Sequence, residues 1–404
     1  MPIHPIPMSS PDIMPEDIAA VNAVLRTPVL SLGPQLEAFE QAAARAVGAK
    51  FAIGVNSGTA GLHLGVIAAG VEPDDLVITS PFSFIASANA ILYERGIPVF
   101  VDVDPRTGNL DPALVAEAVS ALTLDHRQRT VAERWLPRSI NQETSAASGP
   151  LKAILPVHAF GQPADIDPIL EVAQQHNLRV LEDACEAIGA EYKGRAAGTL
   201  GDMGVFAFYP NKQITTGEGG LIVTDCENWA SLFRSLRNQG RDIFDAWLNH
   251  SRLGYNYRLD EMSAALGLSQ IKRLSELLAK RAQVAAWYNR HLQAEEFVEV
   301  PEIVTATTGM SWFVYVVRIK PPAQRAMVMQ QLQAAGVPSR PYFTPIHLQP
   351  FYRQKFGYER GDFPVTEYLG DVSLALPFSG VMTEEQVAYV CQQLHIGVSC
   401  SVRR

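Results

Sequence analysis

An α/β fold is expected for this chain of 404 residues: a large domain in three layers, with a mostly parallel sheet between helices, and a smaller C-terminal α+β domain. Three observations lead there. Short apolar runs alternate with segments of helical period through the first half. Those runs are apolar throughout, as strands buried on both faces are, rather than alternating polar and apolar. From Leu259 onward the texture changes to a long helix-rich stretch followed by mixed elements.

The elements follow in order. PQLEAFEQAAARAV (Pro34 to Val47) has apolar residues at helical spacing, and FAIGV (Phe51 to Val55) reads as a strand. A helix is expected over Thr59 to Ala69, a strand over Leu76 to Thr79, a helix over Ile85 to Glu94 and a strand over Pro98 to Val103. The alternation breaks between Thr123 and Gly149, a polar stretch ending in small residues that reads as an insertion, part of it helical. It resumes with a strand over Lys152 to Pro156, a helix over Pro168 to His176 and a strand over Arg179 to Glu182, then GVFAF and GGLIVT. After LDEMSAALGLSQIKRLSELLAKRAQVAAWYNRHL come a strand from Trp312 to Ile319, a helix from Gln324 to Ala335, a proline-rich stretch from Pro338 to Pro350 and a last helix near Glu384 to Leu394. The expected division is 1–258 for the large domain and 259–404 for the linking helix and small domain.

Composition narrows the function. Hydrophobic residues make up 47% and charged residues 19% of the chain, a globular composition. A formal net charge of −9 speaks against sequence-independent nucleic-acid binding. The four cysteines, Cys185, Cys226, Cys391 and Cys400, form no CxxC pair, which disfavours a zinc site or a disulfide framework and makes a reducing cytoplasm the expectation. The first twenty residues lack a basic region followed by an apolar core, so no signal peptide is expected. No apolar run reaches the length of about 18 residues that a membrane helix needs.

Three stretches can carry chemistry. In NSGTAGLHLG (Asn56 to Gly65), Ser57, Gly58 and Thr59 stand between a strand and a helix, where free backbone N–H groups and hydroxyls can hold a phosphate. Taken alone, plain helix capping explains them as well. In RVLEDACEAIGAEYKG, Asp183 falls just past an apolar strand, at the edge where open α/β sheets bind ligands, and Glu186 can face the same cleft. A carboxylate there can also serve only as a cap. In FYPNKQITTGEGG, Lys212 lies between two strand-like flanks. Most lysines are solvated, but a lysine held in a desolvated cleft can lose its proton and attack a carbonyl. The glycines after it allow close backbone approach to a ligand. In this order, a phosphate-type turn, an aromatic SPFSF, a strand ending in Asp and a strand followed by Lys would hold a phosphorylated, cationic aromatic aldehyde. Pyridoxal 5'-phosphate (PLP) fits each part. The G-x-G-x-x-G and G-x-x-x-x-G-K-[ST] loops are absent, which speaks against a nicotinamide-dependent enzyme.

The motifs VNSGTAGLHLG, FSFIASANAILY, VHAFGQPADID, EDACEAIGAEYKG, PNKQITTGEGG and GYNYRLDEMSAALGLSQ together resemble the PLP-dependent sugar aminotransferases of the DegT/DnrJ/EryC1/StrS family, of the aspartate aminotransferase fold type I. The similarity runs nearly the whole length. It implies that Lys212 forms the Schiff base and that Asp183 pairs with the pyridine nitrogen. It implies further that Phe84 stacks on the ring and that Gly58 and Thr59, with Ser57, contact the phosphate. Asn256, in GYNYR, matches a residue that reaches the phosphate of the neighbouring subunit, which implies a homodimer with shared active sites. Two positions depart from the pattern. Glu186 stands where many relatives have Gln, so this carboxyl must accept the ring hydroxyl's proton or be neutral. Ala207 stands where many have a phosphate-binding Ser, so that contact is missing or supplied by another hydroxyl such as Thr216.

The resemblance implies ping-pong transfer of an amino group from L-glutamate to the keto group of a nucleotide-linked sugar, in the cytoplasm, with no metal, nucleic acid or membrane partner. His158, Tyr342 and His347 are candidates for substrate contact, with a packing role equally open. Arg340, His250 and Arg252 could meet a diphosphate, and the 123–149 insertion could shape the acceptor pocket. The competing readings are transfer to a cyclitol or aminoshikimate-type ketone, and a non-catalytic PLP-binding regulator on the same fold.

Overall fold

The computed structural model describes residues 6–124, 133–142, 149–242 and 249–403. Nine strands lie in the first part: β1 (Phe51–Val55), β2 (Leu76–Thr79), β3 (Ile97–Phe100), β4 (Leu151–Leu155), β5 (Arg179–Asp183), β6 (Glu191–Tyr192), β7 (Arg195–Ala196), β8 (Met203–Ala207) and β9 (Gly220–Thr224). Seven of them form one sheet in the order β1-β9-β8-β5-β4-β2-β3. The run β8-β5-β4-β2-β3 is parallel, and β9 is antiparallel to both of its neighbours.

Strand apolarity has the expected cause. Successive side chains of a strand enter opposite faces, and both faces are covered. Ile53, Val77, Leu181, Val205 and Ile222 pack with the helix Gly58–Ala68 on one side. Their neighbours Ala52, Phe206, Leu221 and Val223 face the helices Pro34–Val47 and Glu261–Lys272 on the other. Val180 and Ile154 face a third cluster, with the helices Pro112–Leu122 and Ile166–Gln175. The central helix Gly58–Ala68 is buried nearly all round, which explains its run of glycine, alanine and leucine.

The register decides where the site can be. Ala207 of β8 pairs with Gly220 of β9, and Gly220 also pairs with Val55 of β1. Because β9 runs the other way, its start lies beside the ends of β1 and β8. Asp183, the last residue of β5, pairs with Val205 of β8. The segments after Val55, Asp183 and Ala207 therefore leave the sheet at one edge, where open α/β sheets bind ligands.

The C-terminal part contributes β10 (Val298–Glu299), β11 (Thr307–Gly309), β12 (Tyr315–Ile319), β13 (Arg340–Pro341) and β14 (Ser373–Leu376). Four of them form an antiparallel sheet, β10-β12-β14-β13, packed with the helices Arg325–Ala334 and Glu384–Val402. Helix Glu261–Lys272 belongs to the first core: the Glu261 carboxylate accepts from the amides of Gly33, Gln35 and Leu36 at the start of helix Pro34–Val47. The crossover to the second core lies within helix Leu274–Leu292, whose first residues pack with the large sheet and whose last pack with the small one.

Several boundaries differ from expectation. The helix Pro112–Leu122 lies outside the expected elements, although Asp111 caps it and Pro112 opens it, both ordinary start signals. The strand expected from Trp312 begins only at Tyr315, because Trp312 and Phe313 give their carbonyls to Arg281 instead of a ladder. The last helix runs on to Val402. Of the 123–149 insertion, residues 125–132 and 143–148 lie outside the described residues. Within it a short helix, Arg138–Gln142, follows Trp135, which packs into the core beside Tyr352 and Tyr358.

Candidate active site

A cavity of about 440 Å³ opens at this edge of the sheet. It is lined by Ser57, Gly58 and Thr59 from the turn after β1, by Phe84 after β2, by Asp183 and Glu186 after β5, and by Lys212 after β8. Seven residues singled out in the sequence thus meet in one space. Tyr342 joins them from the C-terminal part. The volume is within the range of small-molecule sites.

At one end the helix Gly58–Ala68 points its N-terminus inward. Ser57 caps it, its Oγ accepting from the Ala60 amide at 3.1 Å. The amides of Gly58 and Thr59 belong to the first turn, where no helical carbonyl precedes them. Gly58 is required by packing: a Cβ there would lie 2.8 Å from both the Ala207 Cβ and the Cys185 Sγ. Ala207 lines the cavity, but the hydroxyl of Thr216 does not replace the missing serine. Thr216 is buried, and its Oγ1 donates to the Glu218 carbonyl at 2.7 Å.

At the other end Asp183 is buried and oriented by two donors. The Ser87 hydroxyl donates to Oδ2 at 2.6 Å, and the Cys185 amide donates to Oδ1 at 3.1 Å. Ser83 Oγ lies 2.8 Å from Ser87 Oγ and extends the chain of hydroxyls. Phe84, 64% exposed, presents its ring to the opening. Lys212 is only 12% exposed at its side chain, with Nζ 3.8 Å from Glu186 Oε1 and 3.8 Å from the centroid of the Phe313 ring. Glu186 Oε2 accepts from the Phe160 amide at 2.8 Å. Burial raises the pKa of the Glu186 carboxyl above the ordinary value, while Lys212 and the Phe160 N–H pull the other way and Asp183 adds to the rise. The Tyr342 hydroxyl is pushed up to about 12, first by burial and then by Glu186.

Phe160 has φ 60° and Gly161 φ 92°, and a Cβ on Gly161 would lie 1.5 Å from the Ser311 carbonyl oxygen. This tight turn brings the Phe160 amide to Glu186 and stacks its ring on Phe343, with centroids 5.1 Å apart. Sequence reasoning missed Ser87, Asn211, Phe313 and Phe343. Ser87 was visible as the second serine of FSFIASAN. Asn211 stands directly before Lys212 in PNKQ, whereas Phe313 and Phe343 reach the cavity only through the packing of the C-terminal part.

Other candidates lie elsewhere. The substrate contact expected of His158 and His347 does not agree with their placement, because both are fully buried outside the cavity. His158 Nε2 is 2.8 Å from Glu182 Oε2, and its Nδ1 accepts from the Ala164 amide at 3.0 Å. That carboxylate also accepts from the amides of Gly198, Leu200 and Gly201, so the pair braces β5 beneath Asp183. His347 Nε2 lies 3.0 Å from Glu367 Oε1. Asn256 is exposed and does not line this cavity, although its carbonyl accepts from Asn56 Nδ2 at 3.4 Å. Arg252 pairs with Asp242, His250 Nδ1 lies 2.8 Å from the Gln239 carbonyl and Arg340 Nη1 donates to the Ser339 carbonyl. None of the three lines the cavity. From the insertion, Glu133, Arg134, Trp135, Leu136 and Arg138 line a separate cavity with Tyr358, Asp362 and Phe363. Among the described residues no cluster suits a metal ion, and no helix is long and apolar enough to cross a membrane.

The residues present fit PLP. A helix N-terminus suits the phosphate, a buried carboxylate suits a ring cation, and an exposed ring and an amine face the same space. Asn211, which lines the cavity, has a buried Oδ1 without a protein partner.

Comparison with known proteins agrees. Residues 11–395 match the DegT/DnrJ/EryC1/StrS aminotransferase family. The chain is 38% identical to GDP-perosamine synthase of Caulobacter vibrioides over 369 residues, 91% of each chain. It is 35% identical to the spore coat polysaccharide biosynthesis protein SpsC of Bacillus subtilis, over 95% of each chain. Among solved structures, DesV of S. venezuelae superposes with a TM-score of 0.83 at 30% identity, covering 97% of this chain and 98% of its own. The chain belongs to the DegT/DnrJ/EryC1/StrS aminotransferase family, whose enzymes are PLP-dependent.

Proposed function

We propose that this protein transfers an amino group from L-glutamate to the keto group of a nucleotide-linked sugar, with PLP held through Lys212. The observation that carries the reading is the meeting of Lys212, Asp183, Phe84 and the Ser57–Thr59 turn in one cavity. PLP, when bound, supplies an electron sink that makes the α-hydrogen of an amino acid acidic.

The chain's own groups do the rest. The amides of Gly58 and Thr59 and the Ser57 cap hold the phosphate. Asp183, held by Ser87 and the Cys185 amide, keeps a ring nitrogen protonated, because an ionised carboxylate beside a cation favours the charged form. Phe84 covers the ring plane. Lys212 Nζ takes the proton from the donor's α-carbon and returns it as general acid, shielded from water by Phe313. Glu186, whose carboxyl pKa is raised by burial, places Oε1 3.8 Å from Lys212 Nζ. Tyr342 closes the acceptor side. Asn256, exposed and outside its own chain's cavity, reaches the phosphate of a second copy in a homodimer.

The test is the absorption spectrum of the PLP-loaded protein before and after glutamate. A visible band that glutamate shifts supports cofactor, lysine and donor together. A protein that PLP cannot reconstitute overturns the reading. Screening GDP- and dTDP-linked keto-sugars against cyclitol ketones then decides the acceptor, and sedimentation decides the dimer.

A further inference from the structure

The Lys212 loop is held both by its own turn and from a distance. Its own turn is closed by one backbone bond, from the Lys212 amide to the Tyr209 carbonyl at 2.9 Å. The Phe208 carbonyl nearby accepts from the Thr215 hydroxyl at 3.0 Å and the Thr216 amide at 3.1 Å, and further restraints come from far along the chain. Arg281, on helix Leu274–Leu292, is buried. Its Nε donates to the Trp312 carbonyl at 2.7 Å, and its Nη2 donates to the carbonyls of Asn211 and Phe313, each at 2.9 Å. The guanidinium lies 5.3 Å from the Phe378 ring centroid.

Its polar partners here are neutral carbonyls rather than a carboxylate. Burial alone pushes the guanidinium down to about 10, so it stays charged at neutral pH. Removing a charge from water costs several kcal/mol after relaxation, and an apolar side chain could fill the same volume without that cost. What arginine adds is a planar fork that reaches several acceptors in fixed geometry. The acceptors are telling. One belongs to the residue before Lys212, and the others to Phe313, whose ring covers Lys212, and to the residue before it. Gln213 brackets the lysine from the other side. Its Nε2 donates to the Glu186 carbonyl and to Ser311 Oγ, each at 2.7 Å.

We propose that Arg281 is a positioning residue for Lys212, joining Asn211 to Trp312 and Phe313 so that the lysine and the ring covering it enter the cavity as one body. This rests on Lys212 being the cofactor lysine. It also accounts for the late start of β12, since the carbonyls of Trp312 and Phe313 are committed to Arg281.

The experiment compares wild type, Arg281→Lys, Arg281→Met and Phe313→Leu. In the cofactor-free proteins, acetylation of Lys212 by acetic anhydride is followed by peptide mass spectrometry, with the exposed Lys50 and Lys355 as internal standards. In the PLP-loaded proteins the visible band, kcat and KM for glutamate are recorded. The expected result is faster labelling of Lys212 in both arginine variants and a displaced visible band. With it goes a fall in kcat on the order of 10²-fold, the scale of a misplacement of about 1 Å, while KM stays within a few-fold. In a further variant, Arg281→Ala, sub-denaturing guanidinium should restore part of kcat. Phe313→Leu leaves the guanidinium in place and should reproduce the labelling and band changes. Folded arginine variants with wild-type labelling, band and kcat overturn the proposal. If the arginine variants do not fold, wild-type labelling and kcat in Phe313→Leu overturn it. Should wild type itself form no visible band with PLP, the cofactor reading fails, while the labelling comparison still decides whether Arg281 positions Lys212.

Discussion

The Ser57–Thr59 turn and the loop carrying Asn211 and Lys212 line the same cavity, yet they are held in different ways. The turn is held locally: a side-chain cap spans three residues, and the helix supplies its N-terminus. The loop is held from a distance as well as by its own turn. Arg281 reaches Asn211 across 70 positions, and Ser311 receives from Gln213 across 98. A local device tolerates change elsewhere in the chain, whereas a long-range one passes every rearrangement of the C-terminal part to the lysine. The reacting end therefore depends on how the two lobes pack.

Substitutions at the two ends sharpen this contrast. The largest effect is expected at Lys212. Lys212→Ala should remove the visible band of PLP-loaded protein and abolish amino transfer, with the fold kept, as spectra and turnover with glutamate would show. Next comes Asp183→Asn, which keeps the hydrogen-bonding shape but not the charge. PLP should still bind, with kcat down on the order of 10²- to 10³-fold, the scale of losing one electrostatic stabiliser. At the local end, Gly58→Ala sets a methyl against Ala207 and Cys185. Overpacking of this kind costs about 1–3 kcal/mol, so PLP titration should show weaker binding with the glutamate reaction of bound cofactor little changed. Ser57→Ala should cost about 1 kcal/mol of stability through the lost cap, read as a lower Tm in the cofactor-free protein. If instead Ser57→Ala perturbed the Lys212 spectrum as much as Arg281→Met does, the contrast between the ends would collapse.

The smallest expected effect has a definite sign. The Glu186 carboxyl has a pKa raised above its ordinary 4.5. A raised pKa contributes stability that is fully present below the unfolded-state value and lost as pH rises through the folded one. Glu186→Gln should therefore be more stable than wild type at neutral pH. The advantage should vanish as pH falls below about 4.5, which thermal denaturation of cofactor-free protein at several pH values would measure.

Legibility followed the same division. The phosphate turn, Asp183 at its strand end and Lys212 between two strands could be read from the chain, because each is marked by neighbours within a few residues. For His158 and His347 substrate contact and packing stay equally open in the sequence, because a motif histidine shows nothing of its surroundings; in the structure both are buried and bonded to Glu182 and Glu367. The helix Pro112–Leu122 is likewise marked locally, by the Asp111 cap and Pro112.

From the sequence alone came the α/β alternation, the mostly parallel sheet and the three segments able to carry chemistry. Strand period, caps and glycines are short-range consequences of backbone geometry, so a linear reading captures them. Which carbonyls Arg281 would take, which ring would cover Lys212, that Glu186 would be buried beside it and that β9 would turn its start toward the cavity were settled only when distant segments packed together. Those outcomes depend on contacts between residues tens to hundreds of positions apart, and no local spacing encodes them.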